Sequence, residues 1–226
     1  MLRSFISKKV KKYNYISWLD YIKNNWDFGV LGTSVIDLGC NDGGLLSSLS
    51  SYSNLTQMVG LDSDVSVVRH NKVNKELRSC KFFVANFCDP EFMDFDFGNA
   101  DTVYFMNTFF VLPDVQLLAQ KIRISSFKNL IISYPLPATL SIYEKNNPGQ
   151  NFLENNFDQF ISDCGFTIHK EADVTSYYYL GGLGVILLAS INRALIRLFE
   201  KNGARKFYRL AWATRIEIDK GLKNRL

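Results

Sequence analysis

Histidine is scarce in this chain, and its cysteines lack the spacing of a metal site. The sequence holds two histidines and four cysteines, with no CxxC pair and no paired histidine. A structural zinc site needs clustered ligands of these types, so no metal site is predicted. The basic N-terminus is not followed by the apolar stretch of a secretory signal. We therefore expect reduced, structural thiols in a cytoplasmic protein.

Charge is sparse along most of the chain and concentrated at its two ends. The 226 residues are 47% hydrophobic and 21% charged, with a formal net charge of +4, which is ordinary for a globular protein. Residues 1–12 hold five basic residues and no acid, and residues 193–226 hold ten Lys or Arg against three acids. These ends suit either solubilising flanks or contact with anionic lipid, nucleic acid or an acidic partner.

Long apolar runs are also absent, with one exception. Residues 174–192 carry no charge over 19 positions, which is near the length of a membrane span. The run contains Gly181, Gly182, Gly184 and three consecutive tyrosines, and a buried hairpin explains these residues better than a helix. No transmembrane span is expected.

Short apolar runs alternate with helical patterns from residue 34 to residue 134. The apolar runs are 34–38, 58–61, 81–85, 102–106 and 129–134, and the helical patterns are 44–51, 65–77 and 114–124. This alternation predicts βαβ units and a parallel sheet. Because the runs are apolar throughout, we expect helices on both faces of the sheet.

Helical and strand patterns also flank this central region. Residues 13–30 show helical apolar spacing through Tyr15, Trp18, Leu19, Ile22 and Trp26, which predicts a helix that packs on the domain. Residues 152–164 predict a helix that ends at Gly165, and residues 166–170 and 185–189 predict an antiparallel strand pair.

The C-terminal region, residues 189–226, has a basic amphipathic pattern that predicts helices. Such a segment docks on its own domain or a partner chain, or lies on an anionic membrane surface. The predicted organisation is thus an N-terminal basic arm and helix (1–30), a central domain (31–190) and a basic helical extension (191–226). A cytoplasmic protein, with membrane-peripheral contact as an alternative, follows from this pattern.

The segment that carries the clearest chemistry is residues 35–43, an apolar strand followed by Asp37, Gly39, Cys40, Asn41 and Gly43. Glycines at this spacing let the backbone turn sharply and approach a ligand closely. The pattern departs from the dinucleotide fingerprint GxGxxG. It resembles motif I of the class I S-adenosylmethionine (SAM)-dependent methyltransferases, D/E-x-G-x-G-x-G, with Asn41 at the middle glycine.

The resemblance extends to the ends of the next three strands. It implies that Asp62 binds the ribose hydroxyls, since a carboxylate suits a vicinal diol, and that Ser63 next to it also binds the cofactor. Asp64 is an alternative, although it is better suited to an N-cap. Asn86 and Phe87 would contact the adenine, and Asn107 would border the methionine part of the cofactor and the methyl acceptor.

The resemblance implies a Rossmann-like α/β fold with a seven-stranded, mostly parallel sheet whose last pair is antiparallel. SAM would lie across the carboxyl ends of the first, second and fourth strands. His70 and His169 lie away from this edge, so Tyr104, Asp114 and Tyr134 are the remaining weak candidates for a catalytic base.

The expected reaction is O- or N-methylation of a small molecule or a sugar- or lipid-linked intermediate. RNA or protein methylation, and a non-catalytic subunit that binds a partner, are the alternatives.

Overall fold

The computed structural model describes residues 18–26, 29, 32–52, 54–106, 108, 112, 114–136, 157–174 and 208–216. Within them, strands and helices alternate as the apolar pattern predicts, and the strands form one seven-stranded sheet. The strands are β1 (Ser34–Leu38), β2 (Gln57–Asp62), β3 (Cys80–Val84), β4 (Thr102–Phe105), β5 (Asn129–Pro135), β6 (Phe166–Val174) and β7 (Tyr208–Arg215). The described helices are α1 (residues 18–25), α2 (Gly44–Leu49), α3 (Val65–Val73), α4 (Gln116–Ile124) and α5 (Phe157–Asp163), with 3₁₀ turns at Lys75–Leu77 and Pro90–Asp94.

The sheet has the strand order β3-β2-β1-β4-β5-β7-β6. Strands β1 to β5 are parallel, and β7 pairs antiparallel with both β5 and β6. The strand order therefore reverses at β1, with β2 on one side and β4 on the other. In open α/β sheets, ligands bind at such a switch point, outside the carboxyl ends of the strands. The predicted seven-stranded, mostly parallel α/β sheet is confirmed.

Alternate residues of each strand feed two separate cores, one on each face of the sheet. On β4, Val103 and Phe105 join the core that α4 and α5 cover, whereas Tyr104 joins the core that α1, α2 and α3 cover. Helices on both faces explain why the central strands read as continuous apolar runs.

The N-terminal helix α1 packs against the sheet on the same face as α2 and α3, and this packing agrees with its apolar spacing. Trp18, Leu19, Ile22 and Trp26 are buried on one face, and the Trp26 ring lies 6.1 Å from the ring of Trp212 on β7. Burying a large apolar side chain contributes about 1.5–3 kcal/mol, so these contacts bind the helix to the domain.

The C-terminal prediction is wrong for residues 208–215, which form β7 and not a basic helix. Leu210, Ala211, Trp212 and Ala213 are buried between β5 and β6. Arg209 pairs with Asp173 and Glu171 of β6. This part of the basic extension is therefore committed to the sheet, while the predicted strand 185–189 lies outside the described residues.

The side chain of Arg215 is also engaged in contacts within the fold. Its guanidinium donates to the carbonyl oxygens of Ile122, Arg123 and Phe127 at 2.9–3.1 Å, and it lies over the Phe166 ring. A single β7 side chain thus closes the C-terminal end of α4, where helix carbonyls lack partners within the helix.

Two predicted helix ends are confirmed. Asp64 is the N-cap of α3, where its side chain accepts hydrogen bonds from the backbone N–H groups of Ser66 and Val67. Gly165 follows α5 with a φ of 79°, the left-handed conformation that terminates a helix. Within the described ranges, no helix has the length and apolar character needed to cross a membrane.

Candidate cofactor site

The loop of residues 39–43 leaves β1 at the switch point and turns back toward β2. The backbone N–H groups of Gly39 and Cys40 both donate to the carbonyl of Leu61, at 2.8 and 2.9 Å. Gly39 has a φ of +77°, and a Cβ there would lie 2.3 Å from the Thr108 Oγ1. Glycine is therefore required at this position by both conformation and space.

Asn41 replaces the middle glycine of the motif and still adopts a left-handed conformation, with a φ of 45°. Asparagine tolerates this region better than most residues. Its side-chain Oδ1 accepts from the N–H of Asp42 at 2.8 Å, and the Gly43 N–H closes the turn on the Cys40 carbonyl at 2.9 Å. The substitution thus preserves the turn that the glycine motif predicts.

Asp62, at the end of β2, is bonded directly to this loop. Its Oδ2 accepts from the N–H of Asn41 at 2.8 Å, and its Oδ1 accepts from the N–H of Asp64 at 3.0 Å. Ser63, between them, is exposed. Each carboxylate oxygen can accept more than one hydrogen bond, so both keep capacity for a ligand.

Asp37 lies beneath the loop on β1 and is 2% exposed. Burial raises its pKa to about 8, and the negative charges of Asp62 and Asp42 add to this effect. With a pKa of about 8, the Asp37 carboxyl is mostly protonated at neutral pH, and the negative potential around it comes from Asp62 and Asp42.

Cys40 is buried next to these acids. Burial, followed by the charges of Asp37 and Asp62, raises the pKa of its thiol well above its usual range. The residue is consequently a protonated packing group and not a nucleophile. Across the described parts of the chain, no group of His, Cys, Asp and Glu is arranged to hold a metal ion.

The residues after β3 divide between surface and core. Asn86 is exposed, and its Oδ1 accepts from the N–H of Cys88 at 3.2 Å. Phe87 is 4% exposed and packs against the rings of Phe92 and Phe105. Most of the Phe87 ring is therefore buried in the core, and its contact with adenine stays a prediction.

The weak catalytic candidates do not form a cluster. Tyr104 is fully buried, and burial raises the pKa of its hydroxyl, so it cannot serve as a base at the edge. Asp114 is exposed but accepts from the N–H of Gln116 at the start of α4. Tyr134 is half-buried against the ring of Phe157. Asn107 lies outside the described residues.

Two residues that sequence reasoning missed contact the loop. Asn71 on α3 donates from Nδ2 to the Asn41 carbonyl at 2.6 Å. Thr108 follows β4, and its hydroxyl donates to the Met106 carbonyl at 3.2 Å beside Gly39. Neither belongs to a recognisable motif; the only sequence signal is a polar residue in the middle of a helix.

The two histidines are surface residues. His70 is exposed on α3, and His169 is exposed on β6 with its ring 4.6 Å from that of Trp212.

No protein-family model matches the sequence, and no curated protein sequence matches it. Solved structures do match over most of the chain. The magnesium protoporphyrin IX methyltransferase ChlM of Synechocystis, with bound S-adenosylhomocysteine (SAH), is 15% identical at a TM-score of 0.57, covering 92% of this chain and 84% of that one.

Two further structures match equally well. Geranyl diphosphate C-methyltransferase of Streptomyces coelicolor is 15% identical at a TM-score of 0.59, covering 88% of this chain and 78% of that one. The complex of the Haloferax volcanii methyltransferase activator Trm112 with a methyltransferase also matches at 15% identity and a TM-score of 0.59, covering 83% of this chain and 84% of that one. Likeness at such identities concerns the fold.

Proposed function

We propose that this chain, which has the fold of class I SAM-dependent methyltransferases, binds SAM at the loop of residues 39–43 and transfers its methyl group. The observation that carries the proposal is the 2.8 Å hydrogen bond between the Asn41 N–H and Asp62 Oδ2 at the switch point. This bond places a glycine-type loop and a carboxylate side by side where β1 and β2 end.

Asp62 would hold the cofactor's ribose. Its two oxygens are already oriented by the N–H groups of Asn41 and Asp64, and their remaining lone pairs suit the two hydroxyls of a vicinal diol. Asn86, exposed after β3, would accept from the adenine amino group. Asn107 is proposed to border the methionine part of the cofactor and the acceptor.

The charge of the site also suits this cofactor. SAM carries a positive sulfonium and an ammonium group, and the pKa of Asp37 is raised first by burial and then by repulsion from the negative charges of Asp62 and Asp42. A bound cation would relieve this repulsion. The bound sulfonium supplies an already activated methyl group, and the protein's part is to position the acceptor and exclude water.

We propose O- or N-methylation of a small molecule or a sugar- or lipid-linked intermediate. Tyr104 is buried and Asp114 is bonded to the start of α4, so an acceptor that needs little base assistance fits best. Carboxylates, phosphate-type oxygens and amines meet this condition. Neighbours named for a porphyrin and for geranyl diphosphate support a small acceptor.

Isothermal titration with SAM and SAH tests the cofactor. The wild-type chain should bind both, and Asp62→Ala should abolish binding. Asp64→Ala is the matched control, because Asp64 is an adjacent acid that caps α3. Its loss should lower stability and leave affinity within about twofold. If wild type binds neither compound, the proposal is wrong.

A non-catalytic subunit that uses this fold to bind a partner is the second candidate. Its partner-binding part is supported by the neighbour in which a methyltransferase is bound to the activator Trm112. Its lack of catalysis is supported by the described base candidates, because Tyr104 is buried and Asp114 is bonded to the start of α4. Methyl transfer by the isolated chain, measured with radiolabelled SAM against a panel of small acids and amines, would reject it.

Contact with a partner or an anionic membrane through residues 193–226 is proposed only for the parts that flank β7, since Arg209 and Arg215 are engaged within the fold. Sedimentation with anionic liposomes tests the membrane case. Equal pelleting of the wild-type chain and a variant with the basic residues of 193–207 and 217–226 changed to glutamine would count against it.

A further inference from the structure

Asn71 is a polar residue buried in the middle of α3, 1% exposed. Its Nδ2 donates to the Asn41 carbonyl at 2.6 Å and lies 4.0 Å from the Cys40 Sγ. Its Oδ1 has no hydrogen-bond partner among the described residues. Burying an unsatisfied oxygen costs free energy, so an apolar side chain would serve packing better. What Asn71 adds is a hydrogen-bond donor under the loop.

The donor acts at the residue that replaces glycine in the motif. Asn41 has a positive φ, which is unfavourable for a residue with a side chain. The Asp62 carboxylate holds its N–H at 2.8 Å, and Asn71 holds its carbonyl at 2.6 Å. Both flanking peptide groups are thereby fixed, one from β2 and one from α3.

We infer that Asn71 is a positioning residue for the cofactor: it holds the 39–43 loop in the binding conformation through the Asn41 carbonyl. The inference rests on the proposed function. Because Asn71 lies behind the loop, its effect is on cofactor affinity and, in an active enzyme, on the KM for SAM with little change in kcat.

The test compares Asn71→Leu, a variant of similar size without a donor, with Asn129→Leu. Asn129 is also buried and bonded to a side chain, the Trp212 Nε1 at 3.0 Å, but it lies at the opposite end of the strands. By titration with SAH, Asn71→Leu should raise Kd about five- to tenfold, the loss of one net hydrogen bond. Asn129→Leu should lower the melting temperature and leave Kd within twofold.

Asn71→Asp gives a second readout that packing alone would not move. An aspartate can donate only when protonated, so its Kd relative to wild type should grow as pH rises, whereas the ratio for Asn71→Leu should stay constant. Equal Kd values for wild type and Asn71→Leu, or an equal loss in Asn129→Leu, would overturn the inference.

A cofactor-independent arm separates this inference from the proposed function. In the unliganded protein, amide hydrogen exchange at Asp42 and Gly43 should quicken in Asn71→Leu and not in Asn129→Leu. Failure of the wild-type chain to bind SAH would reject the cofactor and the effect on affinity. Unchanged amide hydrogen exchange at Asp42 and Gly43 in Asn71→Leu would reject the inference that Asn71 holds the loop.

Discussion

Replacing Asp37 by asparagine should stabilise the protein increasingly as pH rises. Asp37 is 2% exposed, and its pKa is raised from 3.8 to about 8, first by burial and then by the charges of Asp62 and Asp42. The folded state therefore keeps a proton that the unfolded chain releases between these two values. The part of the free energy of unfolding that depends on the Asp37 proton is fully present below pH 4 and is lost as pH rises toward 8.

The size of the effect follows from the two pKa values. At about 1.4 kcal/mol for each pH unit, the difference between 3.8 and about 8 corresponds to about 6 kcal/mol, as an upper bound on the order of magnitude. This is comparable with the whole stability of an ordinary domain, about 5–15 kcal/mol. Asp37→Asn keeps the shape of the side chain and removes the titration.

Urea unfolding followed by circular dichroism at pH 5, 7 and 8.5 measures this effect. The difference in free energy of unfolding between Asp37→Asn and wild type should grow in favour of the variant by several kcal/mol from pH 5 to pH 8.5. Asp64→Asn is the control with no trend, because hydrogen bonds from Ser66 and Val67 lower the pKa of Asp64 below its usual value. Asp64 therefore stays ionised in the folded and unfolded states from pH 5 to pH 8.5, and its difference from wild type should be constant over that range. Parallel stability curves for Asp37→Asn and wild type would refute the reasoning.

Three further predictions concern the loop, β7 and the charge of the site. Gly39→Ala should weaken SAH binding at least tenfold by titration, because the added Cβ would lie 2.3 Å from Thr108 Oγ1. Gly98→Ala is the control, since Gly98 also has a positive φ but no atom lies within 4 Å of its added Cβ. This control should lose only about 1 kcal/mol of stability and no affinity for SAH. Arg215→Lys should lower the free energy of unfolding by about 2–3 kcal/mol, measured in urea, since the single ammonium nitrogen of lysine cannot reach the three carbonyls that the three guanidinium nitrogens bond. The ratio of SAM to SAH affinity should rise from pH 7 to pH 9, because an ionised Asp37 favours the sulfonium; a constant ratio would contradict this.

The central strands could be predicted closely because both of their faces are covered. β1 has the predicted bounds, and β2 and β5 extend the predicted runs by one residue at one end or at both. A strand between two layers of helices must be apolar at every position, so its length is visible in the sequence.

Strand β7 could not be predicted from the sequence, and the reason is again physical. Its four buried residues, 210–213, form a short apolar run between basic residues, and periodicity cannot separate such a run from a turn of buried helix. The arginines suggested an exposed basic face, yet Arg209 pairs across to β6 and Arg215 closes α4. Only the partners of these side chains, which are distant in sequence, distinguish the two structures.

Part of the candidate site could likewise be predicted from the sequence, and part could not. The loop and Asp62 could be predicted because adjacent parallel strands bring their carboxyl ends together. Tyr104 could not be placed, because a strand alternates its side chains and Tyr104 faces the core beneath α2. Asn71 and Thr108 reach the loop through tertiary contacts, from α3 and from the chain after β4, that no local pattern records.

The two hydrogen bonds that hold Asn41, from its N–H to Asp62 and from Asn71 to its carbonyl, should be energetically coupled because they fix the two sides of one residue. Asp62→Asn leaves one acceptor oxygen for the two N–H groups of Asn41 and Asp64, so the hold on the Asn41 N–H is weakened. The loop can then leave its positive φ, and the bond from Asn71 has less to preserve. The loss of SAH affinity in Asp62→Asn with Asn71→Leu should therefore be smaller than the sum of the single losses by about 0.5–1 kcal/mol or more, as for other residues in one network. Asp62→Asn with Asn129→Leu, whose sites share no partner, should be additive within about 0.5 kcal/mol. Additivity in both pairs would show that the hydrogen bonds from Asp62 and Asn71 act independently, and it would contradict the expected coupling.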